Sequence, residues 1–195
     1  RGHPELVAIK SGTYEIKEGA PLKETLSLFA SGKEFHFSLT FVEGSRFEDW
    51  LKQLSSAPYL ERLTVEQSET ELAQELGIDN GKLEGWFLPE TYAYTTHASD
   101  ISILRRAYQD MKAFLQERWE KRQANLPYKT PYEALIMASI IEKETGQPDE
   151  RAQIASVFVN RLRLGMKLQT DPTVIYGVKD RYDGNIRRSD LTDVN

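Results

Sequence analysis

TPYEALIMASIIEKETG, residues 130–146, is the stretch on which the reading of this chain turns. Thr130 followed three residues later by Glu133 makes a capping box, and Pro131 falls at the first helical position, where its missing N–H costs nothing. The signals predict a helix starting here. From Ala134 to Ile141 almost every residue is apolar or small, which predicts a helix buried on most sides. That helix runs directly into Glu142, Lys143 and Glu144. Two readings of these charges are open: they emerge into solvent at the helix end, as polar residues there commonly do, or one of them stands in a cleft.

The positions separate the two glutamates. Met137, Ile140, Ile141 and Glu144 fall at i, i+3, i+4 and i+7, so Glu144 continues the strongest apolar stripe while Glu142 lies nearly opposite it. A carboxyl group at the negative end of a helix dipole and against an apolar stripe is pushed toward its protonated form, which suits a general acid. Glycoside cleavage needs such a group to protonate the leaving oxygen. Two residues apart on one helix, Glu142 and Glu144 cannot be the facing carboxylates of an ordinary glycosidase, so any second carboxylate has to come from elsewhere.

Composition narrows the classes. The chain has 195 residues, 39% hydrophobic and 28% charged, which is ordinary for a folded protein, and its net charge of −5 with no basic block argues against nucleic-acid binding. The absence of cysteine excludes disulfides and thiolate metal sites, and His3, His36 and His97 lack ligand spacing, so no metal is expected. No apolar run reaches the length of a membrane span. The chain begins at Arg1 and stops just after a Ser-Asp-Leu helix-start signal, so the expectation is a fragment of a longer protein.

Downstream of the central helix, Pro148 predicts a further helix to Leu164, with Ile154, Val157, Phe158 and Leu162 as its buried stripe and Gly165 as its stop. Residues 166–177 read as a loop interrupted by Asp171-Pro172 and polar at Gln169, Thr170 and Asp171. With so short a link to the preceding helix, this loop is expected to line the same cleft as the end of the central helix. An Asx turn before Pro172 is the structural alternative for Asp171.

Upstream, Ser99 and Asp100 predict the cap of a long helix with apolar positions Ile101, Leu104, Tyr108, Met111, Leu115 and Trp119. The aromatic segment at residues 85–94 reads as core, or as a stacking face for a sugar ring through Trp86 or Tyr92. Residues 58–78 read as helical, and the turn at residues 79–81 as the domain boundary. Before it lies a weak repeat of period 25, in which TYEIK and SLTFV each lead to Glu-Gly and then to an amphipathic helix. The two β-turn-α units, residues 12–57, are expected to fold together.

The run MASIIEKET, followed by ER, ASVFVNRL and LQTDPTVIYG, together with EGWFLPETY, resembles the endolytic murein transglycosylases of the MltG/YceG-like family. The resemblance covers essentially the whole chain. It implies an α+β protein: a small LysM-like β/α module in residues 1–81, then a mainly helical lytic-transglycosylase catalytic domain in residues 82–195, incomplete at its C-terminus. It also implies a bacterial protein held at the inner membrane by an anchor outside this sequence, with its catalytic part periplasmic. The substrate implied is peptidoglycan, whose glycan strands are cut internally at the β-1,4 MurNAc-GlcNAc bond. Related lytic transglycosylases carry a Glu-Ser pair at a helix end, and Glu144-Thr145 resembles it. In that chemistry the muramic acid C6 hydroxyl attacks its own C1 to leave a 1,6-anhydro end, so one glutamate serves as acid and then base with no metal or cofactor.

Glu144 is accordingly the expected catalytic residue. Gln169, Thr170 and Asp171 are expected to line the sugar cleft, with Asn160 and Tyr176 beside them. Glu142 is placed at the cleft as a group that fixes the loop or pairs with Arg151 or Arg161. Cell-wall synthases are the expected class of protein partner. The competing readings are a lysozyme-like hydrolase, with Asp171 positioning water or acting as nucleophile, and a non-catalytic glycan-binding scaffold.

Overall fold

In the computed structural model, which describes residues 9–79, 81–178, 182–187 and 189–191, Phe41 lies flat against Trp50, with ring centroids 4.0 Å apart, at the centre of the first of two compact units. The elements are α1 (Leu22–Ser31), β1 (Phe37–Thr40), α2 (Phe47–Ser56), α3 (Glu69–Leu76), β2 (Thr91–Tyr94), α4 (Asp100–Glu120), α5 (Pro131–Glu144), α6 (Arg151–Arg163) and α7 (Asp171–Gly177). Short 3-10 turns at Thr64–Glu66 and Pro148–Glu150 precede α3 and α6. The architecture is α+β: seven helices and one small antiparallel sheet among the described residues.

The sheet pairs β1 with β2, with Phe37 opposite Tyr94 and Thr40 opposite Thr91. Alternation puts Tyr92 and Tyr94 on the buried face, where they meet Leu54, Leu72, Leu83 and Leu104 in one core. α2 contributes Trp50 and Leu54, α3 Leu72, Ala73 and Leu76, and α4 the stripe from Ile101 to Met111. α3 owes its start to a capping box in which Ser68 and Glu71 satisfy each other's backbone N–H groups.

This pairing crosses the boundary expected at residues 79–81. The compact units divide at Lys112 and Ala113, so β2 and the first half of α4 belong with the N-terminal elements. The repeat is realised unequally. Gly19 and Gly44 both adopt left-handed φ, 76° and 70°, at the same place in each copy. The second copy gives β1 and α2, but TYEIK forms no strand and α1 buries none of its residues. The reason is the partner: β1 finds an apolar ladder in β2, and among the described residues the first copy has no strand paired with it. Tyr92 is not a stacking face for a sugar; its ring is buried, its hydroxyl donates to the Leu88 carbonyl at 2.8 Å, and burial pushes the phenol up from its ordinary range.

Asp100 ties the loop before α3 to the start of α4. Its side chain is 1% exposed and accepts from Leu63 N (3.0 Å), Thr64 N (3.1 Å), Thr64 Oγ1 (2.5 Å) and Ile101 N (2.8 Å). Backbone bonds from Glu61 N to Ala98 O and from Asp100 N to Glu61 O run beside it. The helix-capping bond expected of the Ser99-Asp100 pair comes from Ser99, whose Oγ accepts from Ser102 N.

In the second unit, Thr130 accepts from Glu133 N at 3.2 Å as the capping box predicts, but the Glu133 carboxylate reaches Lys129 N instead of Thr130 N. Met137 and Ile140 of α5 pack with Phe158 of α6, and Tyr128, Ile141, Ile154 and Leu168 surround them. α5 is thus buried along one side only. Ile136 is 44% exposed, and Val157 and Leu162 of the stripe expected on α6 are exposed as well.

Replacing Asp100 by Ala leaves the N–H groups of Leu63 and Thr64 without their acceptor inside a tight contact. The expected loss is about 2–4 kcal/mol, read as a lower urea midpoint of the variant relative to the parent protein. A variant as stable as the parent would contradict this role.

Candidate active site

The site is built where α5 ends. Helical geometry stops at Thr145, which has extended dihedrals (φ −145°, ψ 138°) and gives its N–H to Ile141 O. The stop leaves Glu144 as the last helical residue. Thr145 itself is buried: Oγ1 donates to Glu150 Oε2 at 2.8 Å and accepts from Gln147 N at 2.9 Å, which shapes the turn into α6.

The two glutamates have different partners. Glu142 pairs with Arg151 at the start of α6, N to O 3.0 Å, with both side chains half exposed or nearly so. Of the two arginines anticipated for it, Arg151 is the one that forms the ion pair. Glu144 accepts through Oε1 from the hydroxyl of Thr170. It is exposed, where the apolar stripe predicts a buried side chain. The stripe is carried into the core instead by Met137 and Ile140, and past the helix end by Thr145.

Thr170 reaches Glu144 because of the turn after α6. Gly165 (φ 65°) stops that helix, and Met166 N bonds back to Arg161 O at 2.8 Å. The Arg161 guanidinium donates to the Leu168 carbonyl. Gln169 follows in a left-handed conformation, φ 52°. Thr170 then turns inward, 3% exposed, and Thr173 Oγ1 donates to its carbonyl at 2.8 Å. The loop expected over residues 166–177 ends sooner than predicted: Asp171–Gly177 is the helix α7. Asp171-Pro172 reads as an interruption in sequence, but a proline in a first helical turn loses no hydrogen bond, so the same dipeptide starts a helix.

Of the residues expected at the cleft, Glu144 and Thr170 are in direct contact. Gln169 and Asp171 flank Thr170 in the chain and are both exposed. Asn160 is exposed on α6, and Tyr176, 48% exposed, lies on α7. Glu150 was not anticipated in the sequence; its partnership with Thr145 depends on the 3-10 turn at Pro148–Glu150, where the pattern predicts continuous helix. Chemically, the arrangement offers one exposed carboxylate, one oxygen of which is held by a buried hydroxyl, beside a second carboxylate already neutralised by an arginine.

The YceG-like family model matches residues 2–195 of this chain. An endolytic murein transglycosylase of Bacillus subtilis is 27% identical over 88% of the chain, and one of Streptococcus pneumoniae D39 is 25% identical over 86%. The chain spans 53% of the length of the first and 35% of the second. A crystal structure of a yceG-like protein from Listeria monocytogenes shares the fold, with TM-score 0.59 and 24% identity, over 95% of this chain and 66% of that one. The sequence motifs around Glu144, the fold and the match along nearly all of its length agree: the chain belongs to the YceG-like family.

Proposed function

We propose that this chain carries the glycan-cleaving part of an endolytic murein transglycosylase, which cuts the β-1,4 MurNAc-GlcNAc bond inside peptidoglycan strands without water, with Glu144 as its single acid and base. The observation that carries the reading is the contrast at the end of α5. Glu144 is exposed and held on one oxygen by a neutral hydroxyl, whereas Glu142 is paired with Arg151. The Arg151 guanidinium engages Glu142, whereas Glu144 is held through Oε1 and stays open to a substrate.

The cycle needs only this group from the protein. Protonated Glu144 gives its proton to the glycosidic oxygen as the bond to C1 breaks and positive charge develops on the sugar. The carboxylate so formed takes the proton of the muramic acid C6 hydroxyl as that oxygen bonds to C1. The 1,6-anhydro end results, and Glu144 is protonated again. Gln169 and Asp171, exposed on either side of Thr170, are placed in this reading to bind the sugar next to the scissile bond, with Asn160 and Tyr176 as further contacts to the strand. Thr170 is buried and its hydroxyl is spent on Glu144, so it acts on the carboxylate and not on the sugar.

The LysM-like module belongs to this proposal in altered form. The strand–helix–helix–strand set β1, α2, α3 and β2 shares one core, so we place the module in residues 37–94 instead of 1–81. No helix among the described residues is long and apolar enough to cross a membrane. An extracytoplasmic catalytic part is supported by the kinship to murein transglycosylases; an anchor elsewhere in the protein and contact with cell-wall synthases are parts of the same reading.

The test is digestion of purified glycan strands by single-site variants. Glu144→Gln is expected to lose cleavage by about a hundredfold or more while melting like the parent and still binding strands. Glu142→Gln should lose less, together with a stability cost below about 1 kcal/mol for its half-exposed ion pair. A folded, inactive Glu142→Gln beside an active Glu144→Gln would reverse the assignment.

A further inference from the structure

We propose that Arg161 is a positioning residue for the reaction: by holding the Leu168 carbonyl it fixes the left-handed turn at Gln169 and so aims the Thr170 hydroxyl at Glu144 Oε1, leaving Oε2 as the oxygen that carries the transferred proton. The proposal rests on the reading of Glu144 as acid and base given above.

Three observations lead to it. The hydroxyl next in sequence, that of Thr145, is committed on both sides, donating to Glu150 and accepting from Gln147 N. The Glu-Thr adjacency therefore supplies no hydroxyl to Glu144, and the one that reaches it comes from Thr170 in a different segment. Second, the residue before Thr170 is a glutamine in left-handed backbone geometry, which a side chain with a Cβ resists, so neighbouring contacts have to hold it there. Third, Arg161 grips both ends of the turn that leads into Gln169: its carbonyl accepts from Met166 N and its guanidinium donates to Leu168 O. A charged donor on a peptide carbonyl is a strong bond, and this one sits on the peptide group that joins Leu168 to Gln169.

The geometry gives the hydroxyl a definite task. A bond donated to Oε1 fixes the plane of the carboxyl group and favours Oε2 as the site of the proton, so donor and later acceptor are the same atom in both steps of the cycle. A carboxyl group free to rotate would present the proton in many directions.

Initial rates of glycan-strand cleavage, measured over a range of strand concentrations for the protein and its variants alongside thermal melts, test this. Thr170→Val removes the donor at nearly constant volume and is expected to lower kcat about tenfold or more with KM within about twofold of the parent, and Thr170→Ser should recover most of the rate. Arg161→Met should show the same split, and the Arg161→Met/Thr170→Val double variant should be no slower than the worse single one, because both act through one contact. Should Arg161→Met fail to fold, Arg161→Leu, which likewise removes the donor to the Leu168 carbonyl, replaces it in the cycle, and should neither fold, the Thr170→Val and Thr170→Ser rates decide. A Thr170→Val protein with parental kcat, a loss confined to KM, a Thr170→Ser protein as slow as the valine variant, or losses that multiply in the double variant would each overturn the proposal. Failure of the underlying reading is distinct: it would appear as an inactive parent protein or an active Glu144→Gln variant.

Discussion

One hydrogen bond, from the buried hydroxyl of Thr170 to Glu144, organises the second unit around its chemistry. It joins the last residue of α5 to the residue that precedes α7. The apolar contacts beneath it, Met137 and Ile140 against Phe158, bring the helices together but leave the carboxyl group undirected. Direction comes from polar contacts around the turn: Arg161 on Leu168, the left-handed Gln169, and Thr145 locked to Glu150. Each of these fixes backbone where a helix begins or ends, and backbone fixed at helix ends is what sets a side chain to the tolerance that proton transfer requires.

The first unit follows a different logic. Among the described residues its sheet has two strands, too few to be stable alone, so β1 and β2 depend on the helices packed against one face. The stacked pair of Phe41 and Trp50 and the tyrosines of β2 provide that cover, and Asp100 fastens the loop before α3 to the start of α4. The result is a small β/α body with Phe41, Trp50, Phe87, Tyr92 and Tyr94 turned inward. Any glycan contact it makes has to use its polar face and its loops, not the rings of Tyr92 or Tyr94.

Local signals were legible in the sequence where the physics is local. Thr130 and Pro131 start α5, Gly165 stops α6, and the spacing of Glu142 and Glu144 on one helix already gives them different faces. Glu142 reaching an arginine follows from the same spacing. What was not legible depends on partners far away in the chain. The choice of β2 as the mate of β1 rests on contact between residues 37–40 and 91–94, and it moves the unit boundary from residue 81 to 112. TYEIK carries the alternation of a strand, but alternation alone does not supply a neighbour. Asp171-Pro172 is compatible with a break and with a helix start, and only the packing of α7 on α5 decides between them. The exposure of Glu144 could not be read from the stripe, because periodicity says which residues share a face and not how far along the helix that face is covered.

The central claim is that the substrate, not water, supplies the nucleophile, so that a single protein carboxyl group suffices. Digestion of glycan strands in water enriched in oxygen-18, followed by weighing of the released fragments, tests it most directly. The account predicts muramic acid ends one water lighter than reducing ends and free of the heavy isotope. Fragments that carry a reducing end labelled with oxygen-18 would contradict it and point to hydrolysis.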